Sequence, residues 1–295
     1  MSPPVVLTEK LRRPEPVGLS RQRLEARLLD STSSRLDLVV APPGSGKTTL
    51  LARVAAVASA ASIPVAWYRV TADDTAEAAL VAHLGRALRD TLGVDTPDDT
   101  VGALLESLEA WAGSGAILIL DDLHEIAGTA AERALEQFVL LRPHGLRVLV
   151  GSRRQPEMNI PRLRVSGLLQ EISSDDLRFR SWEVEELFIA VFREPLSPES
   201  AAALTRRTGG WAAGLQLFHL ATSGRSAVDR QRAVEDLGGR SKLVRSYLAH
   251  NVLSELPEDR RQFLLRTCTL GSLTGALCDA LLDTTGSGKV LDELE

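Results

Sequence analysis

Short apolar runs alternate with helix-period segments along the first 175 residues. LDLVVA (36–41), IPVAWYRV (63–70), AILIL (116–120), LRVLVGS (146–152) and LLQEI (168–172) are rich in branched aliphatic residues. Turn formers and polar residues separate them. That is the form of strands buried on both faces. An amphipathic helix with Leu24, Leu28 and Leu29 on one side precedes the first run. An alanine-rich helix at 47–61 and helical patterns at 75–91, 100–112 and 129–141 fill the intervals. Five repeats of strand and helix predict an α/β fold, a doubly wound parallel sheet.

The pattern changes near residue 176. From SWEVEELFIAVF onward the chain reads as helices punctuated by Pro195, Pro198, Gly209-Gly210, Gly238-Gly239 and Pro257. An α/β domain followed by an all-helical region is the organisation expected. Residues 1–20, rich in Pro and charge, read as an extended N-terminal arm. The 295 residues suit about two domains.

The first strand runs into APPGSGKT (41–48), which matches A/G-x-x-x-x-G-K-T, with Ala41 where glycine is commoner. Gly44 and Gly46 let the backbone turn so that successive N–H groups point at phosphate oxygens. Lys47 supplies a point charge to β and γ phosphates, and Thr48 a hydroxyl to Mg²⁺. A helix opens directly after the loop, adding a favourable field for an anion. Pro43, Gly44, Ser45, Gly46, Lys47, Thr48 and Thr49 are therefore the expected phosphate-binding residues. Strand before and helix after meet the context that a P-loop requires. TTGSGKV (284–290) repeats the letters GSGK, but Val290 stands where Ser or Thr is needed and no strand precedes it. It is expected to be a turn between helices.

About seventy residues further on, AILILDDLHEI (116–126) ends a buried strand in two acids. Ligands bind at the carboxyl ends of strands in open α/β sheets. Asp121 is expected to hold Mg²⁺ through a water, and Asp122 to polarise the attacking water. Asp-Asp after a strand is also a common helix cap; the upstream P-loop favours the metal. His124, one histidine in a loop, is assigned no chemistry. The strand at 146–151 ends in Ser152-Arg153-Arg154, and Arg153 is the candidate that senses a γ-phosphate; a solvated basic turn is the other reading of that segment. Lys47, Asp122 and Arg153 form the expected catalytic set.

Composition narrows the classes. A formal charge of −5 argues against a broadly basic nucleic-acid surface. Arginine dominates the cations, with Lys10, Lys47, Lys242 and Lys289 as the four lysines. Cys268 and Cys278 form no CxxC and suit buried or half-buried thiols in a reducing cytosol. No apolar stretch reaches the roughly 18 residues of a membrane helix, and the N-terminus lacks a signal-peptide core. A cytoplasmic protein with no membrane partner is expected.

Several segments together resemble the nucleotide-binding module of STAND ATPases, specifically the MalT-like, large LuxR-type regulators. They are LTEKLRRP with LSRQRL, APPGSGKTTL, VAWYRV, LILDDLHEI, GSRRQP and PRLRVSGLLQEISSDDLRF. TGGWAAGLQL (208–217) and YLAHNVLSELPEDRRQFLLRTCTL (247–270) continue the likeness. The Walker motifs are common to P-loop proteins; LRVSGLLQEISSDDLRF and TGGWAAGLQL are the specific parts. The resemblance implies an arm (1–20), a P-loop nucleotide-binding domain (21–175), a helical domain (176–238) and an incomplete winged-helix domain (239–295).

The same resemblance implies that Leu19-Ser20-Arg21 lies against the adenine base. It implies that Gly210-Trp211-Ala212 corresponds to a Gly-x-Pro element meeting the nucleotide from the other side, with Ala212 replacing the proline. Trp211 also reads as an ordinary core aromatic at a helix start. The resemblance further implies a switch, with ADP and Mg²⁺ in a closed monomer and ATP in an open, self-associating form that hydrolyses slowly. A full-length relative would act on transcription through a C-terminal helix-turn-helix, whereas this chain is expected to bind no specific DNA. A conventional P-loop ATPase or kinase with steady turnover is the alternative. No Asn-Lys-x-Asp appears, which favours adenine over guanine.

Overall fold

The structure is a computed structural model that describes residues 5–30, 34–95, 100–109, 111, 113, 115–235, 257–270 and 273–292. Backbone contacts divide the chain into two compact units, Met1–Glu235 and Asp236–Glu295.

The first unit is built on five parallel strands: β1 (Leu36–Val40), β2 (Val65–Arg69), β3 (Ala116–Asp121), β4 (Leu146–Ser152) and β5 (Leu169–Ile172). Their order is β2-β3-β4-β1-β5. All six residues of β3 are buried, as a strand covered on both faces requires.

Alternate residues feed two cores. Leu36, Leu38, Leu118, Leu120, Val148 and Val150 face one core. It is completed by α3 (Glu77–Leu92), α4 (Val101–Glu109), α5 (Ala130–Leu141) and α6 (Ile160–Val165). Val39, Ile117, Ile119 and Leu149 face the other, under α1 (Gln22–Leu29) and α2 (Lys47–Ala60). Helices on both faces of a parallel sheet make this the doubly wound P-loop architecture expected from the pattern.

The strand order carries the functional consequence. β4 lies between β1, which leads into the P-loop, and β3, which ends in Asp121. The carboxyl ends of β1, β4 and β3 therefore stand side by side along one edge of the sheet.

Past β5 the same unit continues as α7 (Ser174–Leu177), α8 (Ser181–Glu186), a π-helical turn (Leu187–Val191), α9 (Pro198–Thr208), α10 (Ala212–Thr222) and α11 (Ala227–Glu235). Ser197 caps α9, with Pro198 in its first turn and Gly209 in the left-handed conformation after its end. Phe188, Phe192, Phe218 and His219 pack into one aromatic cluster. Arg21 ties the N-terminal side to this region. Its guanidinium donates to the carbonyls of Leu177 (2.7 Å) and Arg178 (2.9 Å) and to the Glu183 carboxylate (3.2 Å).

In the second unit the described helices are Glu258–Thr267, Gly275–Leu282 and Ser287–Asp292. Residues 283–286 separate the last two, so the second GSGK begins in a turn and runs into a helix, and no strand precedes it. Lys242, the Gly238-Gly239 signal, the 238/239 boundary and the first part of the 247–270 segment lie outside the described residues. No helix among the described residues is long and apolar enough to cross a membrane.

Candidate functional site

The P-loop leaves β1 through Ala41, whose N–H donates to the Ser152 carbonyl at the end of β4. Gly44 (φ 72°) and Gly46 (φ 90°) take the left-handed conformation that the loop needs. Ser45 Oγ donates to the Pro42 carbonyl at 2.8 Å and closes the turn. Lys47 starts α2 and folds back over the loop, donating to the carbonyls of Ala41 (2.6 Å) and Pro42 (3.1 Å). It is buried. Burial, with Arg153 beside it, brings its ammonium down to about 8, against the pull of Asp121 and Asp122.

Thr48 Oγ1 donates to Asp121 Oδ2 at 2.7 Å. Asp121 is 1% exposed, and burial pushes its carboxyl up, against the Thr48 hydrogen bond and the Lys47 charge. Because the hydroxyl proton is committed to Asp121, the lone pairs of Thr48 face away from it. A hydroxyl and a carboxylate at hydrogen-bond distance are hard oxygen donors of the kind Mg²⁺ takes. That ion is usually held by one or two protein groups together with substrate phosphates. Among the described residues no group of three or more His, Cys, Asp or Glu could cage a metal. The donor set fits a magnesium shared with phosphates rather than a metal bound by protein alone.

Asp122 breaks β3 with a left-handed backbone (φ 60°), a conformation that Asp tolerates better than most residues. Its carboxylate accepts from Arg69 Nε at 3.2 Å, at the end of β2. Arg153 follows β4, half-buried, in the field of Lys47 and His124.

Beside the loop opens a largely apolar cleft of about 600 Å³. Its lining includes Val17, Gly18, Leu19 and Arg21 from the N-terminal side, Gly44, Gly46 and Thr49 from the loop and α2, and Phe179, Ala212 and Gln216 from the helical region. Such a volume, apolar with a few polar groups, suits a small-molecule ligand. The start of α10 is hydrogen-bonded to the loop itself. Trp211 Nε1 donates to the Pro43 carbonyl at 3.2 Å, and the Ala213 N–H to the Gly44 carbonyl at 2.9 Å. Arg21 lines the cleft while its guanidinium is held by Glu183 and the two carbonyls, stacked 4.2 Å from the Phe179 ring centre.

Residues 20–158 match the family described as AAA domain, and residues 249–295 the family described as MalT winged helix domain. The HTH-type transcriptional regulator MalT of Cronobacter sakazakii is 29% identical over 99% of this chain and 34% of its own length. MalT of Yersinia enterocolitica is 28% identical over 99% of the chain and 33% of its own. The chain is similar to these MalT regulators over nearly its whole length. It spans about a third of the length of the curated relatives it matches. A Walker-type ATPase of Pyrococcus abyssi has the same fold, with a TM-score of 0.55 at 14% identity, covering 93% of this chain and 87% of that one.

Three features of the site escape a reading of the sequence. Gly151, in β4, lies under the Asp121 carboxylate. A Cβ there would stand 2.8 Å from Asp121 Oδ1 and 2.8 Å from Leu51 Cδ1. Gly210 (φ 69°) lets the chain pass Phe179, whose carbonyl oxygen would be 2.3 Å from an added Cβ. The π-helical turn supplies Leu187 and Val191 to the cleft. A strand-neighbour glycine has a sequence signal only once the strand order is known. The π turn has none, because its pattern is that of an ordinary helix.

Proposed function

We propose that this chain is a nucleotide-operated switch module of a transcriptional regulator, binding ATP or ADP with Mg²⁺ at the P-loop. The observation that carries this reading is the cleft beside the loop, lined both by residues of the arm and by the start of α10, which is bonded directly to Pro43 and Gly44. A base seated there would touch both the sheet domain and the helical region, so occupancy would bias how the two pack.

In this reading Gly44, Ser45, Gly46 and Thr49 surround the phosphates, and Lys47 exchanges its loop carbonyls for β and γ oxygens. Thr48 and Asp121 hold the magnesium, which would supply charge neutralisation at the phosphates. Asp122 orients water and Arg153 meets the γ-phosphate. Leu19 and the backbone at Arg21 lie on the base side, and Trp211 acts through Pro43. Residues 1–20, 21–175, 176–238 and 239–295 serve as arm, nucleotide-binding, helical and winged-helix parts.

The switch equilibrium has ADP favouring a closed monomer and ATP an open form that self-associates, with slow hydrolysis as the reset. Moving such an equilibrium from 1:99 to 99:1 takes about 5.5 kcal/mol of differential binding, so several groups must read the third phosphate. Action on transcription belongs to a longer regulator in the cytoplasm, with DNA bound outside this segment. The likeness to MalT over 99% of the chain supports that assignment.

The test is to purify the chain gently, denature it and identify what is released by chromatography. Stoichiometric ADP supports the switch. An empty site with substrate-stimulated turnover of several per second supports a conventional ATPase instead.

A further inference from the structure

The arm that lines the cleft is tied down at a distance from it. Thr8–Leu11 forms a 3-10 helix against β2. Lys10, 9% exposed, donates from that helix to both oxygens of the Asp74 carboxylate, at 2.8 and 2.9 Å. Asp74 is 1% exposed. Burial pushes its carboxyl up, but the hydrogen bonds from Lys10 and the Thr71 N–H outweigh that and hold it below its ordinary 3.8. A second tie lies beside the first. The Leu7 N–H donates to His83 Nε2 on α3 at 3.2 Å. His83 Nδ1 lies 2.8 Å from the Ala79 carbonyl, so Nδ1 carries the proton and Nε2 is left to accept. The ring is buried and stacks on Tyr68, with 5.1 Å between ring centres.

From this anchor the arm runs back along α2. Arg13 donates to Ser59 Oγ at 2.7 Å and to the Ala55 carbonyl at 3.3 Å, toward the end of that helix. Gly18 (φ 84°) lies on Thr49 in its first turn, where an added Cβ would stand 3.4 Å from Thr49 Cγ2. Thr49 to Ser59 spans about 15 Å of helix. Residues 13–18, fully extended, reach about 17 Å. The two spans are comparable, and Pro14 and Pro16 favour an extended backbone between them. Such a segment passes a displacement of its anchor on to Gly18 and Leu19 instead of absorbing it in a loop. Val17, Gly18 and Leu19, at its far end, line the cleft.

We propose that Lys10 is a positioning residue for the nucleotide: its ion pair with Asp74 holds the arm as a strap and keeps Val17, Gly18 and Leu19 in the cleft. This rests on the nucleotide-binding reading above and adds a residue that acts on the nucleoside part without touching it. The coupling is reciprocal. A nucleotide that needs the docked arm must also hold the arm down.

The experiment has two parts. In the first, trypsin cleavage of the wild type at the Arg12–Arg13 bond is timed with and without Mg²⁺-ADP. Cleavage after Arg232, in α11, serves as the reference. Mg²⁺-ADP is expected to slow the arm cut about tenfold and to leave the reference unchanged. In the second, wild type and Lys10→Met are titrated with Mg²⁺-ADP and with Mg²⁺-pyrophosphate, which carries the phosphates without the nucleoside. Thermal unfolding of both proteins is recorded alongside. Lys10→Met is expected to bind ADP about tenfold or more weakly and pyrophosphate within about twofold of wild type.

An arm cut that Mg²⁺-ADP leaves unchanged, or slows no more than the reference, overturns the proposal. So does an equal loss of ADP and pyrophosphate in Lys10→Met, which is the result of a purely structural ion pair. A wild type that binds neither ligand overturns the underlying nucleotide reading instead, so the two failures are told apart.

Discussion

The Thr48 hydroxyl donates a 2.7 Å hydrogen bond to the Asp121 carboxylate, joining residues 73 positions apart. This one bond fixes the start of α2 against the end of β3 and turns the Thr48 lone pairs toward the space above the loop. Thr48→Val removes the donor at nearly constant volume. The expected result is a loss of about tenfold or more in Mg²⁺-dependent nucleotide affinity, with metal-free binding little changed. Titrations with magnesium and with a chelator measure the difference.

Gly151 is where Asp121 finds room. Gly151→Ala places a methyl 2.8 Å from both Asp121 Oδ1 and Leu51 Cδ1. Overpacking of this kind costs about 1–3 kcal/mol. Denaturant unfolding is expected to show that loss, and nucleotide titration a weaker magnesium site.

Glu183 is fully buried and holds Arg21 and Arg23 together. Burial pushes its carboxyl up, but the hydrogen bonds from Arg23, the Arg180 N–H and Arg21 outweigh that and hold it below its ordinary 4.5. A carboxyl depressed in the folded state contributes stability that is present above 4.5 and lost as pH falls through the lower folded value. Unfolding midpoints of the wild type are expected to drop in that acid window. Glu183→Gln is expected to lower stability by about 3–5 kcal/mol at neutral pH, because two arginines lose their buried partner, and to flatten this acid dependence.

Trp211→Phe keeps the ring and removes the N–H that meets the Pro43 carbonyl. One lost hydrogen bond of this kind lowers stability by about 1 kcal/mol. Since the Ala213 bond to Gly44 remains, the fold should persist and nucleotide affinity should fall several-fold, which titration beside a thermal melt would show.

The sequence made the sheet, its five strands and the phosphate loop legible, because buried parallel strands and P-loops impose continuous apolar runs and fixed glycine spacing. Packing between distant segments was not legible. Arg21 invites a role at the base, yet its guanidinium is held by Glu183, 162 positions away, and by two carbonyls. Gly151 gains meaning only from β4 lying between β1 and β3. His124 reads as loop polarity in the sequence, whereas the kink at Asp122 leaves it half-buried in the field of Arg153 and Lys47.

The most direct test of the central claim is calorimetric titration of the chain with Mg²⁺-ADP, beside Lys47→Ala. The account predicts one site per chain with adenine preferred over guanine, and loss of binding in the variant. Binding that survives Lys47→Ala unchanged, or a wild type that takes up no adenine nucleotide, would contradict it.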